Sequence, residues 1–157
     1  MQVRLAGIKQ ESVTDGIGLR AVVYFQGCPH HCLGCHNPES HDPKGGYLAE
    51  TDEILDLLCN NPLIDGITLS GGEPLLQPEA ALALARSAQK RGKSVWLYSG
   101  FTLQAIMKDP AKRAVLAYTD MLVDGAFILA ERDLSLPFRG SRNQRLLTPA
   151  AWQALDD

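Results

Sequence analysis

The sequence predicts one α/β domain, residues 1–157, with a largely parallel sheet that curls into an open, partial barrel. Three observations predict this fold. Short runs rich in β-branched residues alternate with amphipathic helical patterns. Turns containing glycine or proline separate these runs. The length of 157 residues suits one domain with a single core.

The first predicted elements follow in the order strand, helix, strand. RAVVYFQ (Arg20–Gln26) is a strand by its apolar and β-branched content. TDEILDLLCN (Thr51–Asn60) is a helix, with Thr51 as its N-cap and acidic residues in its first turn. DGITLS (Asp65–Ser70) is a short buried strand. A strand followed by a helix and a second strand indicates a parallel crossover.

The same alternation continues to about Phe127. PEAALALARSAQKRG (Pro78–Gly92) has proline in its first turn and a closing glycine, which are the end signals of a helix. A strand in KSVWLYSG, helices in TLQAIMKD and AKRAVLAY, and a strand around Met121–Val123 come next. Loops and one last helix are expected after Phe127. Because ligands bind at the carboxyl ends of parallel strands, the loops after the strands are the candidate site.

Composition excludes several classes of function. The net charge of −3 argues against a nucleic-acid binder, which would carry a basic surface. No apolar run is long enough to span a bilayer, so no membrane association is expected. The opening MQVRLAGIKQESVTDG lacks the features of a signal peptide. The expected location is cytoplasmic.

The segment FQGCPHHCLGCHNPES is the strongest chemical signal, because Cys28, Cys32 and Cys35 follow the pattern C-x3-C-x2-C. Clustered cysteines in a reducing compartment indicate a metal site or catalysis. Three thiolates can bind three irons of a 4Fe-4S cluster and leave one iron open, which is a catalytic feature. A structural zinc site remains the alternative, with a fourth ligand from His30, His31 or His36. Cys59 lies apart on an apolar helical pattern and is predicted to pack in the core.

Polar residues and glycines follow the later strands. In SGGEPLLQ, Gly71 and Gly72 permit close approach of a ligand to the backbone, and Glu73 offers a carboxylate to an ammonium group. Ser99 and Asp124 end the next two strands and are candidates for contacts with a ribose or a carboxylate. The ordinary alternative for all of these residues is a turn between a strand and a helix.

The cysteine pattern after a first strand resembles the radical S-adenosylmethionine enzymes. The longer string DGIGLRAVVYFQGCPHHCLGCHNPES is similar to the glycyl-radical activating enzymes among them. Within that group, the short chain and the segment RGSRNQR resemble the branch that acts on the anaerobic ribonucleoside-triphosphate reductase. The resemblance extends from about Gly7 to Leu146.

This resemblance implies an oxidoreductase with the fold of the radical S-adenosylmethionine enzymes. A 4Fe-4S cluster, held by the catalytic ligands Cys28, Cys32 and Cys35 with one open iron, would cleave S-adenosyl-L-methionine reductively. The 5′-deoxyadenosyl radical would then remove a hydrogen atom from a glycine in the large subunit of the reductase. The resemblance also implies an electron donor such as flavodoxin or ferredoxin, and it allows a homodimer.

The resemblance further implies contacts with the cofactor. The residues implied to hold the amino group of S-adenosylmethionine are Gly71, Gly72 and Glu73. Those implied to contact the adenine are Gly34, Cys35 and His36. This chain departs from the family pattern at Gly34, where many members carry an aromatic residue.

The chain also departs from the family pattern at the position of the cation that binds the methionine carboxylate. Some activating enzymes carry lysine or arginine where this chain has Ala126, so Arg139 or Arg142 would have to supply the charge. Three rival functions remain open: an activase of a formate-lyase-type glycyl-radical enzyme, a small radical enzyme with a small-molecule substrate, and a zinc-binding module without catalysis. The short chain argues against the formate-lyase-type activase, and the glycine–glycine–glutamate motif argues against the zinc module.

Overall fold

Among residues 1–35 and 38–156, which a computed structural model of the chain describes, seven strands form one sheet. The strands are β1 (Gln2–Ser12), β2 (Arg20–Phe25), β3 (Tyr47–Glu50), β4 (Gly66–Gly71), β5 (Ser94–Tyr98), β6 (Met121–Asp124) and β7 (Arg145–Leu147). Their order across the sheet is β3-β1-β2-β4-β5-β6-β7. The central strands β2, β4, β5 and β6 are parallel, whereas β1, β3 and β7 pair antiparallel at the two sides. The predicted α/β class is confirmed, with an open sheet that is parallel in its middle and mixed as a whole.

The helices pack on one face of the sheet. They are α1 (Thr51–Leu58), α2 (Pro78–Lys90), α3 (Leu103–Met107), α4 (Pro110–Leu116) and α5 (Pro149–Gln153). Alternate residues of β2 point to this face, so that Val23 and Phe25 share one apolar core with helical residues such as Leu84. No helix in the described part of the chain is both long enough and apolar enough to cross a membrane.

Most of the predicted central elements lie where the sequence places them, but some details differ. Thr51 is the first residue of α1 rather than its N-cap, which is Glu50, and no side chain caps this helix. Cys59 follows α1 and packs against the core as a half-buried residue, and burial raises the pKa of its thiol. The patterns in the sequence do not predict β1, β3 or β7.

A buried arginine organises the opposite face of the sheet. Arg20 is 1% exposed and burial lowers its pKa to about 10, so it stays protonated at neutral pH. Its five N–H groups make five hydrogen bonds, including one from Nε to Thr68 Oγ1 (2.9 Å) and one from Nη2 to the Ile67 carbonyl (2.7 Å). Thr68 Oγ1 in turn donates to the Asp15 carbonyl (2.6 Å). This network holds the loop between β1 and β2 over the sheet.

Candidate active site

A cavity of about 710 Å³ lies on the face of the sheet opposite the helices, at the carboxyl ends of the parallel strands. This volume is within the usual range of cofactor sites. Strand ends contribute Ser70, Tyr98 and Val123 to its wall. Loops that cover the sheet contribute Asp15 and Phe138. The cavity is therefore at the position that the order of elements predicts for a ligand.

The cysteine loop forms one wall of this cavity. It leaves β2 and is tied back by hydrogen bonds from Gly27 N to the Ser40 carbonyl (2.6 Å) and from Cys28 N to the His41 carbonyl (3.2 Å). Cys28, Cys32 and Cys35 all line the cavity and are half-buried. The structure thus brings the three predicted ligands to one place.

The three thiols of the cysteine loop are soft ligands of the kind that bind iron–sulfur clusters. Within residues 1–35 and 38–156, no three or more His, Cys, Asp or Glu side chains are arranged to hold a metal ion. Burial is the main cause that raises the pKa of the Cys28 thiol, and the carboxylate of Glu73 and the thiol of Cys32 raise it further. Three thiols on one cavity wall nevertheless match the donor chemistry of a 4Fe-4S cluster, because such clusters are held by cysteine thiolates.

His41 lies beside this set, although the sequence pattern predicts no chemical role for it. Its Nε2 is 3.4 Å from Cys35 Sγ, and its ring packs edge to face against His31 with centroids 5.6 Å apart. His41 also lines the cavity. The signal in the sequence was its position just beyond the cysteine loop, but the return of the chain at Pro38–Ser40 could not be read from the pattern.

The two glycines of the SGGEPLLQ segment join the end of β4 to the cysteine loop. Gly71 has φ +99°, and a Cβ atom there would lie 2.5 Å from Phe25 N. A Cβ atom on Gly72 would lie 2.3 Å from the Gly27 carbonyl oxygen. Gly72 N donates to the Phe25 carbonyl (2.9 Å), and Glu73 N donates to the Gly27 carbonyl (2.7 Å). Both glycines line the cavity.

Glu73 turns away from the cavity that its two preceding glycines line. It is 0% exposed and is not among the described cavity-lining residues. Its Oε1 accepts from Gly100 N (2.7 Å) and lies 2.6 Å from His30 Nε2, and its Oε2 accepts from Leu75 N (3.0 Å). Ser99 Oγ donates to both oxygens (3.1 and 3.0 Å). Donors from the protein already saturate this carboxylate.

Ser99 and Asp124 end adjacent strands but have different surroundings. Ser99 lines the cavity while its hydroxyl is bound to Glu73. Asp124 is 1% exposed and is not among the described cavity-lining residues. Its carboxylate accepts from Leu103 N (2.7 Å) and from Arg145 Nε (3.0 Å), and the bond to Asp124 raises the pKa of Arg145. Asp124 thus joins β6 to β7 and to the start of α3.

Of the residues predicted to contact adenine, the structure places one on the cavity wall. Cys35 lines the cavity. Gly34 is not among the described lining residues, and a Cβ atom on it would lie 3.0 Å from the side chain of Leu129. His36 lies outside the described residues.

Arg139 is the one lysine or arginine among the described cavity-lining residues. Its Nη1 donates to the Gln144 carbonyl (2.7 Å), but its buried Nε has no hydrogen-bond partner in the described part of the chain. The preceding Phe138 packs edge to face on Trp96, with centroids 5.2 Å apart, and so holds this loop against the sheet. Arg142, the other predicted cation, is exposed and does not line the cavity in the described structure.

Known proteins resemble this chain over most of its length. The family described as "4Fe-4S single cluster domain" matches residues 14–147. Anaerobic ribonucleoside-triphosphate reductase-activating proteins are 37% identical in Haemophilus influenzae and 32% identical in Escherichia coli K12. The first match covers 84% of this chain and 89% of the relative, and the second covers 84% and 90%.

Two further matches are partial. The pyruvate formate-lyase-activating enzyme of Clostridium pasteurianum is 39% identical, but over only 57% of this chain and 40% of that protein. Among solved structures, QueE from Escherichia coli superimposes with a TM-score of 0.52 at 18% identity, over 65% of this chain and 54% of that one. At this identity the likeness to QueE supports the fold alone.

Proposed function

The chain belongs to the family of anaerobic ribonucleoside-triphosphate reductase-activating proteins, and from this premise we propose that it generates the glycyl radical of such a reductase. It is an enzyme of the radical S-adenosylmethionine type and uses a 4Fe-4S cluster. The observation that carries the proposal is the convergence of three cysteines on one cavity at the carboxyl ends of the parallel strands.

We propose that Cys28, Cys32 and Cys35 hold the cluster and leave one iron open. The support is chemical: all three thiols belong to one loop and line one cavity. When bound and reduced, a cluster held there would supply the one electron that breaks the sulfur–C5′ bond of S-adenosylmethionine, so that methionine leaves and the adenosyl fragment takes a hydrogen atom from glycine. A one-electron donor such as flavodoxin or ferredoxin would be the reductant. The protein binds, orients and shields the reactants.

The cavity wall suggests how the cofactor is held. We propose that Gly71, Gly72 and Ser99 contact S-adenosylmethionine, because all three line the cavity. The absence of side chains on the glycines lets the cofactor approach the backbone closely. Direct contacts from Gly34, Asp124 and His36 stay predictions without support from the cavity wall.

Arg139 is proposed to bind the methionine carboxylate, in place of the cation that some relatives carry at the position of Ala126. Two observations support it: Arg139 lines the cavity, and its buried Nε has no hydrogen-bond partner among residues 1–35 and 38–156. A buried donor without a partner is rare, and a carboxylate would complete its bonding.

Arg139→Gln is expected to lower the affinity for S-adenosylhomocysteine about 10- to 100-fold, the usual effect of losing a hydrogen bond to a charged group. Binding of 5′-methylthioadenosine, which lacks the carboxylate, should change little. Calorimetric titration of the cluster-loaded protein measures both affinities. Arg142→Gln, at an exposed arginine of the same segment, is the matched control. Equal weakening of both ligands would contradict the assignment.

The proposed function is tested by anaerobic reconstitution with iron and sulfide. The reduced protein should convert S-adenosylmethionine to 5′-deoxyadenosine, and none should form without reductant. With the purified large subunit of the reductase added, a glycyl radical should appear by electron paramagnetic resonance. A protein that binds stoichiometric zinc, takes up no iron and makes no product would refute the proposal in favour of a structural zinc module.

The same assay distinguishes between partner enzymes. The match to the formate-lyase activase covers less than half of that protein, whereas the matches to the reductase activators cover about nine-tenths of theirs. A radical should therefore form on the reductase and not on a formate lyase. The opposite preference would leave the radical chemistry intact and overturn the choice of partner.

A further inference from the structure

His30, which lies between two of the cysteines in sequence, is held by the buried carboxylate of Glu73. The two side chains are in contact at 2.6 Å between His30 Nε2 and Glu73 Oε1. Because a carboxylate offers only acceptors, the imidazole must donate in this bond. The contact joins the cysteine loop to the end of β4 across 43 residues of sequence.

From this geometry we propose that Glu73 is a positioning residue for the cysteine loop and acts through His30, rather than as the acceptor for the cofactor's ammonium group. The proposal rests on the proposed function, because the loop is taken to hold the cluster. The proposal changes the role that the resemblance implies for Glu73, which is to bind the amino group of S-adenosylmethionine. It does not change the roles of Gly71 and Gly72, which line the cavity.

The surroundings of Glu73 support this assignment. Four donor groups surround its two oxygens: the imidazole of His30, the hydroxyl of Ser99, and the amides of Leu75 and Gly100. A carboxylate accepts about four hydrogen bonds, so an incoming ammonium would have to displace one of these groups. Full burial adds a second obstacle, since the carboxylate is 0% exposed and does not line the described cavity.

The fold also provides a space that fits the ring of His30. A Cβ atom on Gly100 would lie 2.4 Å from His30 Cδ2, so the ring occupies the space that any larger residue would fill. Phe101 packs edge to face against the same ring, with centroids 4.6 Å apart. The His30 side chain is 15% exposed. Residues at the end of β5 thus hold the middle of the cysteine loop.

A positioned loop should retain its cluster, so iron release from the reconstituted protein to a ferrous chelator such as bathophenanthroline is the decisive measurement. We expect His30→Ala and Glu73→Gln each to speed release about tenfold, the effect of losing one charged hydrogen bond. The double variant should release iron no faster than the faster single variant, because both changes act on the loop through the same contact between His30 and Glu73. His30→Gln, which keeps a donor, should restore much of the retention.

The affinity for S-adenosylhomocysteine separates positioning from direct binding. If Glu73 acts through His30, Glu73→Gln and His30→Ala should change this affinity by the same factor. A tenfold or greater loss in Glu73→Gln alone, with wild-type iron release, would overturn the proposal. Asp120→Asn makes the same carboxylate-to-amide change at an exposed residue bound to Val95 N, and it should release iron like the wild type.

The experiments distinguish a missing positioning role of Glu73 from a missing cluster. If Glu73→Gln does not fold, the comparison of His30→Ala with His30→Gln still decides, because His30 is a loop residue with a partly exposed side chain. Wild-type retention in His30→Ala would refute the positioning role while leaving the cluster in place. A wild-type protein that takes up no iron would instead refute the proposed function.

Discussion

Cys32→Ala is expected to abolish the formation of 5′-deoxyadenosine and to leave the protein folded. The thiol lies on the cavity wall and is half-buried, so its loss removes little packing. A cluster held by three thiolates has no spare cysteine in this loop, because the only other cysteine, Cys59, lies beyond α1 and packs against the core. Chromatographic assay of the product and iron analysis measure the outcome, with circular dichroism to verify folding.

Cys59→Ala is the matched control for this prediction. Cys59 packs against the apolar core, so its replacement should lower the free energy of unfolding by about 1 kcal/mol and leave product formation unchanged. Product formation should therefore be lost in Cys32→Ala, where a cluster ligand is removed, and kept in Cys59→Ala, where only a packing residue is changed. Equal loss of product in two folded variants would contradict the division of the cysteines.

The central elements could be predicted because their local patterns agree with their final surroundings. β2, β4, β5 and β6 are apolar runs buried in the middle of the sheet, and α2 carries both of its end signals. The edge strands lack such patterns. β1 contains a glycine and has two register shifts against β2, and β7 has only three residues. Their pairing depends on neighbours that are distant in sequence.

The location of the site could be predicted from the sequence, but most of its side-chain contacts could not. Strand ends and motif spacing indicated the cysteines and both glycines, which do line one cavity. The orientation of the Glu73 side chain could not be predicted, because it depends on His30, 43 residues away, and on the hydroxyl of Ser99, 26 residues away. The position of Arg139, whose buried Nε has no hydrogen-bond partner within the described chain, likewise depends on the return of a long loop over the sheet.

Gly71→Ala is expected to destabilise the fold by about 3–5 kcal/mol, which combines backbone strain with overpacking against a rigid neighbour. Gly71 has φ +99°, a region that L-residues rarely adopt. The added Cβ would also lie 2.5 Å from Phe25 N and 2.7 Å from Phe25 O, and the backbone of a paired strand cannot move aside as a side chain can. Urea unfolding monitored by circular dichroism measures the change.

Gly92→Ala separates the two causes. Gly92 also has a positive φ, +75°, but nothing lies within 4 Å of its added Cβ, so only the backbone strain of about 1–2 kcal/mol applies. A clearly larger loss at Gly71 would show that the close contact with β2 requires glycine where β4 meets the cysteine loop. Similar losses at both positions would mean that β2 and β4 can separate at this point. In that case the glycines would serve the turn alone, and the cysteine loop would need other anchors, of which the contact between His30 and Glu73 is the foremost.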